Sequence, residues 1–453
     1  MTRGTLCGCL AIILTGCMSA HAQDVSVQAL LQKIAELEQR VQELESRTSN
    51  QDLDTRVTEL EQKAESAVPV TEAAEPEFNV QWKDGLRFDT PELSVKVGGR
   101  LFYDMFIPFD DADIENSLGG QEWGDEFRTA RIHFEGVLFD HYWFKTEYDF
   151  ANGNSGFKDV YIGLTDMPWG NVRIGHFKEP FSQEEITSNR YITFMERSLA
   201  NTFVPARNTG IMYNSTFLDD RMTLAVGAFH DTDVFEDDTP GNNAAYGDDY
   251  SFTGRVTGVP YSNEDATQLV HLGGAYSYRD SDSNEYRFRQ RPEAHLSPHR
   301  LVDTGTFMAD EQHLLGAEAA GVIGPFSLQS EFIYSTLDTE FMGDADLYGW
   351  YVFASYFLTG ESRPYKTSNG TFDRIRPNQN FLDDGGMGAW EIALRYSSLD
   401  LDDVMRDAEL DDITAALNWY LNPNYRIMWN YVFADSEQYG EESIFQMRVQ
   451  MDF

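Results

Sequence analysis

The chain has 453 residues, of which 75 are Asp or Glu and 34 are Lys or Arg, so its formal net charge is −41. After the N-terminal segment no run of about twenty apolar residues occurs, which excludes a helical membrane span from the mature chain. Aromatic residues reach 13% although the mean hydropathy is low, at −0.44. This combination predicts either a large secreted β-protein or a membrane barrel in which every second side chain of a strand faces lipid.

Residues 1–22 have the pattern of a signal peptide, with Arg3, an apolar stretch at 6–14 and a small-residue cleavage site ending at Ala22. The residues up to Cys17 also resemble a lipoprotein processing site, which would leave Cys17 lipidated. Cleavage after Ala22 is the preferred interpretation. All three cysteines then lie in the removed segment, so the mature chain has no thiol for a disulfide, a zinc site or a nucleophile.

Residues 23–65 predict a periplasmic α-helical coiled coil. Apolar residues recur there in steps of four and three, which is the spacing of a coiled-coil seam. They are Leu30, Ile34, Leu37, Val41 and Leu44. Polar Thr48 and Gln51 interrupt the seam, which resumes in a shifted register at Leu53. The alternative is a single amphipathic helix that lies on the barrel.

Residues 92–453 predict an all-β transmembrane β-barrel of about 16 antiparallel strands, joined to the coiled coil by a linker at 66–91. Many segments alternate apolar and polar residues, as strands between lipid and a wet lumen must. The C-terminal segment 444–453 does so and ends on an apolar residue. Its apolar face is Phe445, Met447, Val449, Met451 and Phe453. Chain ends fray in soluble proteins, whereas the last strand of a closed barrel pairs with the first.

The connections between the predicted strands fall into two length classes. Short turns are predicted at 139–141, 167–170, 218–220, 324–325 and 422–424. Long connections are predicted at about 108–125, 178–206, 231–249, 281–309, 360–386 and 436–442. Outer-membrane barrels have short periplasmic turns and longer extracellular loops, so all of these long connections are expected outside the cell.

The segment 127–211 resembles the phosphate- and polyphosphate-selective porin family (porin O/P) of Gram-negative outer membranes. The matching stretches are Phe127–Gly136, Phe177–Phe181, Ser188–Ser198 and Pro205–Gly210. The resemblance implies a homotrimer of 16-stranded barrels, each with its own pore, in which the third loop folds inward. That loop would be 178–206, and its many apolar residues suit a position against the inner wall. The alternative is a packed plug without selective value.

The expected function is that of an outer-membrane porin for passive diffusion of small hydrophilic solutes and ions. An anion pore lines its constriction with fixed cations, and alternation places several basic residues on the lumen side. The candidates for the anion path are Lys96, Arg100, Arg131, Lys145, Arg173, Arg190, Arg197, Arg395, Arg426 and Arg448. The alternative for any of them is pairing with Glu on a neighbouring strand.

The net charge of −41 opposes an anion preference, although much of it falls in predicted outer loops. These acidic residues include Asp110, Asp111, Asp113 and Glu115, then Asp231, Asp233, Glu236, Asp237 and Asp238. They are expected to form a solvated rim beside membrane lipid and lipopolysaccharide. No GxSxG or other nucleophile motif occurs, so an enzyme is not expected. We also expect no cofactor, no metal site and no nucleic-acid partner. The alternative function is a non-conducting anchor or adhesin that uses the coiled-coil stalk.

Overall fold

A computed structural model describes residues 32–33, 35–40, 42, 57–59, 62, 78–151, 153, 155–230, 249–281, 283–340 and 343–453. The predicted signal peptide, most of the predicted coiled coil and the acidic cluster at 231–238 lie outside these residues. The chain divides into two units, 1–75 and 76–453. In the first unit, residues 35–40 and 57–59 are helical. None of the described helices is long and apolar enough to cross a membrane.

Sixteen antiparallel strands form a closed barrel, in which each strand pairs with its neighbours in the chain. The strands are β1 (Leu93–Asp110), β2 (Gly124–Leu138), β3 (Tyr142–Asp149), β4 (Gly156–Met167), β5 (Gly170–Lys178), β6 (Arg207–Phe217), β7 (Met222–His230), β8 (Tyr250–Ser262), β9 (Gln268–Asp280), β10 (Phe307–Ile323), β11 (Phe326–Thr339), β12 (Gly343–Phe357), β13 (Ala389–Asp400), β14 (Glu409–Asn422), β15 (Tyr425–Ser436) and β16 (Gly440–Asp452). The predicted count of strands is confirmed.

The last strand closes the ring on the first. β16 pairs with β1 from Glu442 opposite Asp110 to Asp452 opposite Arg100. Beyond the strand, the N–H of Phe453 donates to Gly99 O at 2.9 Å and the N–H of Gly99 donates to Phe453 O at 2.7 Å. Every ladder is therefore paired, as backbone in a bilayer requires because no water is there to bond it.

The two ends of the barrel carry different connections. Turns of a few residues follow the even-numbered strands other than β12, for example 139–141 after β2 and 324–325 after β10. Because outer-membrane barrels have short turns at their periplasmic end, we take this end as periplasmic. Among the residues that the structure describes, the outer end carries three long connections: 111–123, with a helix at Ala112–Leu118; loop L3 (179–206), with a helix at Gln183–Ile186 and a 3-10 turn at Leu199–Phe203; and loop L5 (281–306), with two-residue strands at Glu285–Tyr286, Arg289–Gln290 and Val302–Asp303. The connection 231–249, which the sequence also predicts as a long outer one, lies almost entirely outside the described residues.

Two of the predicted long outer connections are wrong. The segment 358–388 follows β12, an even-numbered strand, and so belongs to the periplasmic end; we call it the periplasmic insert. It contains short strands at Tyr365–Lys366 and Thr371–Phe372 and a 3-10 turn at Asp383–Gly385. The connection at 437–439 is a short turn, because the strands on both sides extend further than their apolar alternation indicates.

A hairpin precedes the barrel inside the segment that the sequence predicts as a linker. Its strands, Asn79–Trp82 and Leu86–Asp89, are joined by a turn at Asp84-Gly85. The second strand continues the sheet by pairing with the start of β1, with Leu86 opposite Val97. The periplasmic end of the first barrel strand is therefore covered by this hairpin.

Loops L3 and L5 fill one side of the lumen. Phe181, Phe194 and Leu199 of L3 are almost fully buried in one apolar cluster with lumen-facing residues of β10–β14. The ring of Phe194 contacts that of Phe353 edge-on, with 5.3 Å between centroids. Burying such side chains removes apolar area from water and stabilises the packing by about 1.5–3 kcal/mol for each large side chain. The channel is therefore left along β1–β8, off the barrel axis.

We predict that Gly99→Ala destabilises the barrel at its closure. A Cβ at Gly99 would lie 2.7 Å from Arg131 O and 2.7 Å from the Phe453 ring. Overpacking of this kind costs about 1–3 kcal/mol, so the unfolding temperature seen by heat-dependent electrophoretic mobility should fall. Gly321→Ala is the matched control, because its Cβ would meet nothing nearer than 3.8 Å. Equal unfolding temperatures for the two variants would contradict this account.

Candidate functional site

A water-accessible cavity of about 460 Å³ runs between loop L3 and the wall of β1–β8. Eleven basic residues line it but only two acidic ones, Glu135 and Asp159. The basic residues are Arg100, Arg128, Arg131, Lys145, Arg173, Lys178, Arg190, Arg197, Arg207, Arg255 and Lys366. We call this space the cationic cavity.

One fully buried carboxylate organises three of these cations. Glu147 on β3 lies 2.8 Å from Arg100, 3.1 Å from Arg131 and 3.4 Å from Lys145. All three cations line the cavity, whereas Glu147 itself has no exposed surface. Lys145 also contacts Asp159 at 2.6 Å. The wall thus holds its guanidinium and ammonium groups in place while more positive than negative charge faces the water.

Arg173 on β5 has no carboxylate oxygen within 4.0 Å among the residues that the structure describes. Its guanidinium lies 4.3 Å from the centroid of the Phe177 ring and 5.3 Å from that of Tyr161. Such cation–π contacts orient a cation without cancelling its charge. Arg173 is therefore a cation of the cavity wall with its full charge available to a passing ion.

Loop L3 contributes cations from the opposite side of the cavity. Arg197 of L3 contacts Glu185 at 2.9 Å, and Lys178, the last residue of β5, contacts the same carboxylate at 2.8 Å. Burial disfavours the charged form of Glu185, but Arg197 and Lys178 outweigh it and hold the pKa of that carboxyl below its ordinary value. Arg190 is less closely paired, since its nearest carboxylate oxygen, on Asp452, is 3.8 Å away.

Three arginines behind loop L3 fix its path. Arg395 donates to the carbonyl oxygen of Glu196 at 3.0 Å, Arg426 to that of Ile192 at 2.8 Å and Arg448 to that of Met195 at 2.6 Å. All three side chains are buried. They face the lumen as their strand positions predict, but the loop covers them. Hydrogen bonds of this kind satisfy loop carbonyls that would otherwise be buried without a partner.

A buried carboxylate holds the first turn of L3. Glu331 on β11 accepts from the N–H of Gln183 at 2.9 Å and from that of Glu184 at 2.8 Å. The hydroxyl of Tyr351 donates to the same carboxylate at 2.6 Å. These contacts and the arginine donors fasten the loop along its length, so its cations are held at fixed positions in the channel.

A second cavity of about 580 Å³ lies at the periplasmic end, and we call it the periplasmic cavity. Its lining is mixed in charge: Lys96, Arg190, Lys366, Arg374, Arg376, Asp84, Glu135, Glu361 and Asp373. Lys96 lies 3.4 Å from Glu135, and Arg376 lies 2.7 Å from Asp84. The positive surplus of the channel is therefore concentrated in the cationic cavity.

The structure divides the basic residues named from the sequence into three groups. Arg100, Arg131, Lys145, Arg173, Arg190 and Arg197 line the cationic cavity. Lys96 lines the periplasmic cavity. Arg395, Arg426 and Arg448 lie behind loop L3, although Arg426 also borders a narrow crevice beside Tyr420.

Five residues of the cationic cavity are not found from the sequence: Arg128, Lys178, Arg207, Arg255 and Lys366. Arg255 lies on β8 in the inward row with Thr253 and Thr257, so alternation could have found it. Arg128 lies beside a register shift between β1 and β2 that breaks the alternation. Lys366 lies in the periplasmic insert and no pattern indicates its position.

We predict that Arg395→Met destabilises the packed side of the lumen. Arg395 contacts Glu184 at 3.1 Å and forms an ion pair with Glu293 of loop L5. Removing one partner of a buried ion pair leaves an uncompensated charge, which costs about 3–5 kcal/mol, so the unfolding midpoint in denaturant should fall. Arg406→Met is the control, because the Arg406 side chain is 92% exposed. Equal midpoints would show that Arg395 does not fasten the loops.

The amino-acid sequence matches a known family over most of its length. Residues 95–453 match phosphate-selective porin O and P. Porin O of Pseudomonas aeruginosa is 27% identical over 79% of this chain and 87% of its own length. An uncharacterized protein of Caulobacter vibrioides is 28% identical over 82% of this chain and 75% of its own length.

The fold is shared with solved porins. The anion-selective porin from Comamonas acidovorans superposes with a TM-score of 0.51 at 15% identity, covering 80% of this chain and 100% of that porin. Family and fold point to a channel rather than an enzyme. With the closed barrel and its water-accessible cavities, the match over residues 95–453 leads to one conclusion: this chain belongs to the phosphate-selective porin O and P family and is an outer-membrane porin.

Proposed function

We propose that this porin is selective for small anions and that it prefers phosphate. The observation that carries the proposal is the cationic cavity, which eleven basic and two acidic residues line in a chain of net charge −41. Fixed cations along a water-filled constriction replace part of the hydration of an anion. Residues such as Arg131, Arg173 and Arg190 would contact the ion as it passes.

The overall negative charge does not decide the selectivity of this channel. Charges separated by more than about 8–10 Å are largely screened at physiological salt. Asp111 lies just beyond the outer end of β1, and Arg100 lies in the channel-lining part of that strand. The two are eleven residues apart, which is roughly 35 Å along a strand. A passing anion therefore experiences mainly the cations that line the cavity.

The relatives support the same proposal. The matching family is named for phosphate selectivity, and the Comamonas acidovorans porin is described as anion-selective. In loop L3 and the facing wall of this chain, several cations have carboxylate partners that are buried behind them, such as Glu147 and Glu185. A small oxyanion could therefore reach their exposed N–H groups. Arginine suits such a ligand because its planar donors match the geometry of phosphate oxygens.

We predict that the protein is chloride-selective in a planar bilayer. Under a KCl gradient, its reversal potential should have the sign that a higher permeability to chloride than to potassium gives. Added phosphate should reduce the chloride current. Arg173→Gln should weaken both effects, because no carboxylate oxygen of the described residues lies within 4.0 Å of this cation. The selectivity should also decrease between 0.1 and 1 M salt, where the screening length falls from about 10 to 3 Å. Arg406→Gln, at an exposed position outside the cavity, is the control.

Two results would contradict the proposed function. A cation-selective pore would mean that carboxylates control the traffic and that the barrel carries no anion preference. A reconstituted protein that conducts no ions would support the alternative of a structural anchor.

We propose in addition that residues 23–65 form a periplasmic coiled coil and that the porin is a homotrimer. The seam Leu30, Ile34, Leu37, Val41 and Leu44 supports the first part. Within this segment, residues 35–40 are helical and the side chain of Leu37 is 57% exposed in the single chain. Packing against other copies would bury that apolar surface.

We predict that Leu37→Cys, in a mature chain without other cysteines, forms disulfide-linked dimers on mild oxidation. The reason is that seam positions of neighbouring helices lie in contact in a coiled coil. Gln39→Cys is the control, since it lies two residues away on the outer side of the same helix. Equal cross-linking of the two variants, read on a non-reducing gel, would argue against a coiled coil.

A further inference from the structure

The hairpin that precedes the barrel has one apolar and one polar face, and we call it the rim hairpin. On the apolar face, Val80 lies opposite Phe88 and Trp82 lies opposite Leu86. The polar face consists of the alternate residues: Asn79, Gln81, Arg87 and Asp89. Successive side chains of a strand point to opposite sides of a sheet, so the two faces stay separate along both strands.

The polar face of the rim hairpin lies on the lumen side of the wall. Arg87 is opposite Lys96 of β1, and Lys96 lines the periplasmic cavity. Residues directly opposite each other on paired strands have their side chains on the same side of the sheet. The apolar face therefore lies on the outer side, together with Val97, which has Leu86 opposite it on one neighbouring strand and Phe134 on the other.

The apolar face of the rim hairpin continues the lipid-facing surface of the barrel. On the outside of the barrel, the side chains of Phe134 and Leu101 are 37% and 46% exposed. On the hairpin, the exposed fractions are 60% for Trp82, 48% for Val80 and 38% for Leu86. An apolar patch of this kind marks a contact with another protein or with a membrane. Because the barrel side chains of the same surface face lipid, lipid is the contact that this surface already has.

Contacts at both ends of the rim hairpin hold it in the wall. Its second strand pairs with β1 on the same edge as β16, directly beyond the end of that strand. In its turn, Asp84 contacts Arg376 of the periplasmic insert at 2.7 Å and Arg374 at 3.7 Å. Arg374 also binds Asp452 of β16 and the carbonyl oxygen of Pro423. The position of the apolar face is therefore fixed relative to the barrel.

The free edge of the rim hairpin limits how deep it can lie in a membrane. The strand Asn79–Trp82 pairs with Leu86–Asp89 on one edge, and its other edge pairs with no strand among the residues that the structure describes. Unpaired backbone groups are not tolerated against the hydrocarbon core, where no water can bond them. The headgroup region contains water, and tryptophan is enriched there because its ring is amphipathic. The hairpin therefore suits the headgroup region.

We propose that the apolar face of the rim hairpin binds the headgroup region of the periplasmic leaflet of the outer membrane. Trp82, Leu86 and Phe88 then extend the lipid contact of the barrel beyond the end of β16, and the partner is a phospholipid surface. The segment that the sequence predicts as part of a linker thus becomes a membrane-binding element. This contact lies outside the wall, so it does not depend on which ions pass through the channel.

The test is fluorescence quenching of the porin reconstituted in liposomes. Residues 23–453 contain no cysteine, so Trp82→Cys can carry a single fluorescent label. When the phospholipids bear a nitroxide on their headgroups, this label should lose most of its fluorescence, whereas iodide in the water should quench it weakly. Gln81→Cys is the matched control, because Gln81 is also exposed but belongs to the polar face. Its label should respond to iodide and much less to the nitroxide lipid.

A second pair of labels on the other strand makes the result independent of one substitution. Leu86→Cys lies on the apolar face and Arg87→Cys on the polar face, and heat-dependent electrophoretic mobility shows that each variant forms the barrel. If iodide and the nitroxide lipid quench the labels of both faces equally, the hairpin stands in water and the proposal is wrong. If neither quencher reaches the labels of the apolar face, a second copy of the chain covers that face, which also overturns the proposal.

Discussion

The closed ring of backbone hydrogen bonds is the constraint on which the rest of this structure depends. A bilayer offers no water to peptide groups, so a sheet that spans it can leave no edge unpaired. Pairing of β16 with β1, extended by the bonds between Phe453 and Gly99, meets that requirement. Closure also fixes which side of every strand faces the lumen. The positions of the channel cations then follow from their positions along the strands.

A chain with more than twice as many acidic as basic residues can still present a positive channel, because burial separates the two charges. Glu147 is withdrawn into the wall behind Arg100, Arg131 and Lys145, and one carboxylate holds three cations. The carboxylate has a structural role, whereas the cations keep their exposed side toward water. The charge that a passing ion meets thus depends on which side chains of each wall ion pair face the channel, more than on the composition of the chain.

Alternation predicts the barrel from sequence because it is a local pattern, whereas the inward-folded third loop is predicted from the family resemblance and from the apolar residues of 178–206. The sequence predicts the segment 360–386 outside the cell because it is long, but the number of strands that precede it places the insert at the periplasmic end. The same limit applies to side chains. The side chains of Arg131 and Arg448 both face the lumen. Arg131 lines the cationic cavity, whereas loop L3 covers Arg448. What covers a lumen-facing residue depends on contacts between segments distant in the chain.

The off-axis channel has a consequence for how such a protein can change during evolution. On β10–β14 the lumen side chains pack against loops L3 and L5 as in the interior of a soluble protein, where a change of one methylene is already felt. On β1–β8 the lumen side chains border the water-accessible cavity, where side-chain volume is less constrained and charge governs which ions pass. Substitutions among the side chains that line the cavity can alter the ion preference without disturbing the packing on β10–β14. The barrel therefore combines a tightly packed scaffold with a water-facing lining whose charges can change without loss of the fold.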